Sequence, residues 1–259
     1  PARSDPSGDR LVDLQTPGAP LLPARLAAQC VPVPPSGHDV CPLCHGYRRR
    51  GFALCSSCQR VAGQLSTRCS LVVPVSLAAV GSSPLYRLLC AYKDRRRLPS
   101  ARRGPVLQVA RLLAAFLAGH GHCIEAAAGG AWDGLAAVPS SSPRVGKHPL
   151  VEVARLVAGD ASLPVEIDRG PAQLGHLRAS DLGFVARGVA GRRLLVLDDT
   201  WTSGARAQSA ASALRLAGAD VVAVVPVARL VRPGFRDGSS FWQRQQAIAF
   251  DPARCCLEP

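Results

Sequence analysis

The chain has no methionine, and only 5% of its 259 residues are aromatic. So few rings leave little from which to build a base-stacking platform for nucleic acid. No apolar stretch of about 18 residues runs free of charge, so no membrane-spanning helix is expected. The opening, PARSDPSGDR, lacks the apolar core of a secretory signal, and an initiator methionine removed ahead of Pro1 would account for the first residue. Neither a Walker A loop nor a GxGxxG fingerprint is present, which removes two familiar glycine-loop readings of nucleotide binding. Acidic residues are scarce: 18 Asp and Glu stand against 31 Lys and Arg, a net charge of +13. Such an excess favours polyanionic partners. Arginine-rich codon usage produces the same surplus, so charge alone does not choose a partner. The basic residues cluster at Arg48–Arg50 and from Lys93 to Arg97, continuing through Arg102 and Arg103.

What is present suffices for a globular fold. With 47% hydrophobic residues, the chain can bury a full core in one principal domain and still carry a small appendage. Three regions are expected: a flexible Pro/Gly/Ser-rich segment over 1–37, a metal module over 38–68, and an α/β domain over 69–259. Four of the ten cysteines define the module. Cys41-x2-Cys44 and Cys55-x2-Cys58 are two knuckles separated by ten residues, and together they offer the four thiolates of a tetrahedral structural zinc site. Gly46 and Gly51 allow the turns, Tyr47 and Phe52 could cover the site, and His45 reads as a bystander. Four thiolates leave no open coordination position for substrate, and free thiolates imply a reducing compartment, hence the cytoplasm. Cys30, Cys69, Cys90 and Cys123 are dispersed, and Cys255-Cys256 is assigned no chemistry.

The run Leu194 to Ala207, LLVLDDTWTSGARA, is the most informative in the chain. Its apolar start reads as a buried parallel strand that ends at Asp198 and Asp199. A turn of hydroxyl and small residues follows (Thr200, Thr202, Ser203, Gly204), then an Ala-rich helix, Gly218 as its C′ residue, and a second strand over Val221–Val227. Open α/β sheets bind ligands at such carboxyl ends. Free N–H groups at a helix start favour a phosphate, Gly204 admits close backbone approach, and Thr202 and Ser203 donate hydroxyl hydrogen bonds. Paired carboxylates accept from neighbouring ribose hydroxyls or support magnesium. The same residues also suit an ordinary strand-to-helix turn with Asp and Ser caps. Elsewhere, LLPARLAAQC reads as a short helix. Strands are expected at Val72–Val75, Gly134–Val138 and Ala247–Phe250, and helices at Pro84–Tyr92, Pro105–Ala118 and Leu150–Ala158. The stretch from Glu166 to Gly191 has no clear period.

The Leu194–Ala207 run resembles the phosphoribosyl-pyrophosphate (PRPP) signature of type I phosphoribosyltransferases. By that resemblance Asp198 and Asp199 hold the ribose hydroxyls, and Thr200, Thr202, Ser203, Gly204 and Ala205 hold the 5-phosphate. Arg206 stands where Thr or Ser is usual. A four-Cys module ahead of such a domain is similar to the ComF family, associated with competence and DNA uptake. The similarity extends to LCAYKDRRR, with Lys93 at the matching position, to Ala137–Ser140, to Arg169 and Gln173, and to HLRASDLGFVA. It covers residues about 38–230. Where that family carries an Arg-Gly-Phe-Asn-Gln element, this chain reads Arg144 to Leu150 without the Phe-Asn-Gln.

The resemblance implies an open, mainly parallel sheet flanked by helices, and a PRPP-dependent transfer with magnesium in which pyrophosphate leaves. Arg144 and Lys147 would receive the pyrophosphate, with Ser140 and Ser141 as donors and His148 as either a contact or a surface residue. The acceptor stays open among a purine, a pyrimidine and ammonia. The alternative is a non-catalytic binder of PRPP or a nucleotide, or of single-stranded DNA alongside a competence helicase. No membrane partner is expected.

Overall fold

Two apolar runs, LLVL at 194–197 and VVAVV at 221–225, have the continuous hydrophobicity of strands covered on both faces. They form the centre of the sheet. The structure is a computed structural model that describes residues 22–94, 96, 98–140, 148–159, 164–235 and 238–258. In chain order the elements are α1 (Ala24–Ala27), α2 (Ser56–Ala62), β1 (Ser76–Ala79), α3 (Pro84–Lys93), α4 (Pro99–Ala128), β2 (Gly134–Ala137) and α5 (Pro149–Ala158). They continue with β3 (Ile167–Arg169), β4 (Phe184–Ala186), β5 (Arg193–Trp201), α6 (Ala205–Leu216), β6 (Asp220–Val231) and α7 (Gly238–Gln246). Four strands pair in the order β1-β6-β5-β2, every pair parallel. β3 and β4 make a separate antiparallel pair. Single bridges extend both edges of the main sheet, Val31 to Leu77 and Ala136 to Val165.

Side-chain alternation along the strands builds one core on each face. Leu195 and Leu197 of β5 and Val225 and Val227 of β6 pack with Leu85, Leu89, Val109, Leu113, Leu150 and Val153 of α3, α4 and α5. Leu194, Val196, Val221 and Val224 face the other way, against Ala207, Ala210, Ala211 and Leu214 of α6 and against the four knuckle cysteines. The cysteine module is therefore part of the α6 layer. From inside α6, Gln208 holds the segment that follows the module: its side chain accepts from Cys69 N and donates to Cys69 O, both at 2.9 Å. At the described start of the chain, Leu26 and Cys30 are buried in the α3–α5 core, and Leu22 and Val33 pack against it.

Several elements differ from the expectations. The first strand is Ser76–Ala79, not Val72–Val75. The earlier residues do run beside β6, with Val73 N donating to Val224 O, but Pro74 and Pro226 lack the N–H groups a continuous ladder needs. α4 starts at Pro99 and passes through Pro105, because its first two turns are largely exposed and carry no apolar period to read. No strand forms over 247–250. Ala247 and Ile248 instead close turns back onto Gln243 and Gln245 at the end of α7, and Ile248 is exposed.

Candidate functional site

β5 does not stop at its carboxylates. Thr200 and Trp201 still pair with Ala228 and Arg229 of β6, so Asp198 and Asp199 are strand residues. Their side chains consequently leave on opposite faces. Asp199 follows Leu195 and Leu197 toward α3 and α5, while Asp198 follows Leu194 and Val196 toward α6. Both are nearly inaccessible, 7% and 4% exposed respectively.

Asp199 is enclosed by donors. Lys93 Nζ reaches Oδ1 at 2.7 Å, Thr200 Oγ1 donates to Oδ1 at 2.9 Å, and the Tyr92 hydroxyl donates to Oδ2. His148 Nε2 lies 3.6 Å from Oδ2. His148 is held in place by capping α5, its Nδ1 accepting from Leu150 N at 3.2 Å. Burial works to raise the Asp199 carboxyl, but the Lys93 charge, His148 and the Lys93 and Tyr92 hydrogen bonds outweigh it and hold the group at about 2. Asp198 has the opposite balance. Burial and the neighbouring Asp199 charge push it up to about 7, against the weaker pull of Lys93 and Arg206.

A chamber of about 170 Å³ opens over this strand end, lined by both aspartates, Lys93, His148, Arg206 and the Val138–Ser140 segment that follows β2. A smaller cavity of about 50 Å³ lies at the turn, lined by Thr200, Thr202, Ser203, Gly204, Ala205 and His176 among others. Asp198 and Arg206 line both. The chamber sits at the carboxyl ends of β5 and β2, from which α6 and α5 leave on opposite faces of the sheet. That is the crevice where open α/β sheets bind ligands. The turn itself is shaped by Gly204, which has φ +82° at the start of α6; a Cβ there would overlap the Trp201 ring. Ser203 Oγ donates to His176 O and accepts from Ala205 N at 3.3 Å, tying the turn to the 170–183 segment. The first N–H groups of a helix lack intrahelical acceptors, so this turn offers donors beside a cationic Arg206.

The structure thus brings together Asp198, Asp199, Thr200, Thr202, Ser203, Gly204, Ala205 and Ser140. Arg144, Lys147 and Ser141 lie outside the described residues. Sequence reading gave no role to Tyr92 or His176. Tyr92 directly precedes Lys93 in the LCAYK segment, and that adjacency was the available signal. His176 opens the HLRASDLGFVA stretch and contributes a backbone carbonyl.

The second centre is the knuckle quartet. Cys41, Cys44, Cys55 and Cys58 are buried, and their sulfurs all lie within 4.8 Å of one another. Cys44 and Cys55 Sγ are 3.7 Å apart. Zn–S bonds near 2.3 Å in a tetrahedron set S···S edges at about 3.8 Å, so the quartet fits a structural metal such as zinc. His45 is a bystander: its Nδ1 contacts Pro34 O at 3.0 Å. Tyr47 and Phe52 do not cover the site, since Tyr47 packs on Phe241 and Phe52 is 57% exposed. Leu43, Leu54 and Val72 belong to the quartet's core instead. A buried cation stands beside it. Arg229 Nε donates to Cys44 Sγ at 3.2 Å, and its Nη1 donates to Trp201 O at 3.3 Å. One guanidinium thereby joins the cysteine centre to the end of β5, and the absent side chain of Gly46 leaves it room. Among the described residues no helix is long and apolar enough to cross a membrane. Comparison with protein-family models, with curated proteins and with solved structures gives no match.

Proposed function

We propose that the chain binds PRPP in the chamber at the end of β5, as a type I phosphoribosyltransferase-like protein of the ComF kind, with zinc in its cysteine quartet. One observation carries this reading. Two adjacent buried carboxylates at a parallel strand's carboxyl end line a chamber, and Asp198 and Arg206 connect it to a second cavity at a hydroxyl-bearing helix start. The 5-phosphate takes the Thr202–Ala205 turn, where N–H donors, the Thr202 hydroxyl and Arg206 face an anion, while the Ser203 hydroxyl is engaged by His176 O. The ribose lies over the aspartates. Asp198, bordering both cavities, accepts from its hydroxyls, and Asp199 is kept ionised by Lys93 and Tyr92.

In the transfer the C1–pyrophosphate bond breaks, pyrophosphate leaves and the acceptor's nucleophilic atom bonds to C1, with positive charge building on the ring between the two events. Two carboxylates below it stabilise that charge by position and electrostatics. A magnesium ion arriving with the substrate would offset charge on the leaving pyrophosphate. Asp198 and Ser140 are the oxygen donors lining the chamber that suit it. His148 stands at the chamber wall, with Nε2 3.6 Å from Asp199 Oδ2. Reduced thiolates in the quartet favour a cytoplasmic setting.

Calorimetric titration of PRPP with magnesium tests the binding. Pyrophosphate release with a panel of purines, pyrimidines and ammonia tests the transfer. Binding with no release from any acceptor favours the non-catalytic reading. Single-strand DNA affinity that falls steeply with salt would favour nucleic acid as the ligand of the +13 chain.

A further inference from the structure

Far from the chamber, α4 and the C-terminal tail bring four side chains of metal-ligand type to one point. His120 and Cys123 lie one turn apart on the same face of α4. Cys255 and Glu258 come from the tail, where Glu258 N closes a turn onto Cys255 O. The tail is anchored between them: Cys256 is 3% exposed in the α3–α5 core, and Phe250 and Leu257 pack on that core. The ligand atoms of all four residues lie within 4.8 Å of one another.

The separations are within a few tenths of an ångström of those an ion would require. Cys123 Sγ is 3.4 Å from Glu258 Oε1 and 4.0 Å from His120 Nδ1, and His120 Nδ1 is 3.7 Å from Glu258 Oε1. Bonds near 2.3 Å to sulfur and about 2.0–2.1 Å to nitrogen or oxygen set tetrahedral edges at about 3.3–3.8 Å. The outer contacts also suit ligation. His120 Nε2 is 3.0 Å from Pro252 O, and donation there leaves the Nδ1 lone pair turned to the cluster. The second carboxylate oxygen, Glu258 Oε2, accepts from Cys255 N at 3.2 Å, so Oε1 is the one presented. Two ligands are thus oriented by the atoms that would not touch the metal.

We propose that His120, Cys123, Cys255 and Glu258 form a second metal site, for a divalent ion of the zinc class, that fastens the C-terminal tail to α4. One imidazole, two thiolates and one carboxylate suit an ion of intermediate softness, and four protein ligands make the site structural. It is independent of the quartet, which lies on the opposite face of the sheet.

The test is a zinc count per chain on the full-length reduced protein, equilibrated with zinc and freed of excess by gel filtration. Two zinc ions are expected in the wild type and one in Cys123→Ser/Cys255→Ser. Glu258→Gln, a change at a half-exposed tail residue that leaves the folded core intact, also lowers the count to one. Loaded with cobalt, the wild type should show thiolate-to-metal absorption that falls by roughly a third in the double variant, two thiolates of six. A single zinc in the wild type, or a count that neither variant lowers, overturns the proposal. So does a Cys123–Cys255 disulfide in intact-mass analysis of protein prepared without reductant and carrying one zinc.

Discussion

Asp198 and Asp199 are the same side chain one residue apart, and their surroundings pull their protons in opposite directions. Strand alternation sends Asp199 to Lys93, Tyr92 and His148, and sends Asp198 toward α6, where Lys93 and then Arg206 offset its charge only in part. The consequence for stability has a definite sign. A folded Asp198 holds its proton up to about 7, whereas the unfolded chain releases it near 3.8. Between those values the folded state binds the extra proton, so this contribution is full below about pH 4 and is lost as pH rises to 7. Asp199 contributes oppositely: its stabilisation is present above about pH 4 and is lost as pH falls toward 2. In Asp198→Asn the first decline is absent. Urea unfolding from pH 4 to pH 7 should therefore show wild type losing up to about 4 kcal/mol relative to the variant. Parallel curves would rule out a raised Asp198. Gly204 is the other residue whose identity is dictated by geometry. Its φ of +82° and the Trp201 ring against it leave no room for a side chain. Gly204→Ala should cost about 2–4 kcal/mol, from backbone strain and overpacking together. An unchanged denaturation midpoint would show that the turn relaxes freely.

At the scale of elements, legibility followed coverage. β5, β6, α3, α5 and α6 were readable because each presents an unbroken apolar run or an apolar face to a core. The carboxyl end of β5 was not, because Asp198 to Trp201 continue the strand only through pairing with β6, a tertiary effect no local pattern records. The first turns of α4 were hidden for the reverse reason: Ala101, Arg103 and Gly104 are solvent-facing, and Pro105 looked like a beginning. As an internal residue of the helix, Pro105 forfeits one i to i−4 hydrogen bond and presses on the preceding turn. Pro105→Ala should raise the melting temperature, by an amount corresponding to about 1–3 kcal/mol, and leave the chamber untouched. A lower melting temperature would mean that the proline's rigidity in the unfolded chain outweighs the lost bond.

For the whole molecule, the cysteine module and the α/β domain are one packed body. The quartet shares a core with α6, Gln208 links it to the segment that leads into β1, and Arg229 reaches from Cys44 to the end of β5. The spacing of the four cysteines declared the metal centre, since two knuckles need only local turns. The chamber was half legible. The DDTWTSG run named its floor and its turn, and His148 was already a candidate contact, but Tyr92 arrives from α3, 107 residues from Asp199 in sequence. The His120–Glu258 cluster was not legible at all, because two pairs at x2 spacing, over 130 residues apart, acquire meaning only when the tail folds back.

The most direct measurement is isothermal titration of the full-length chain with PRPP and magnesium at pH 8, beside Asp198→Asn. Saturable binding at one site per chain is expected, weakened about tenfold or more in the variant, as loss of a buried charged hydrogen-bond acceptor entails. Equal affinity in the two proteins, or no heat of binding in the wild type, would contradict a ribose held by the β5 carboxylates.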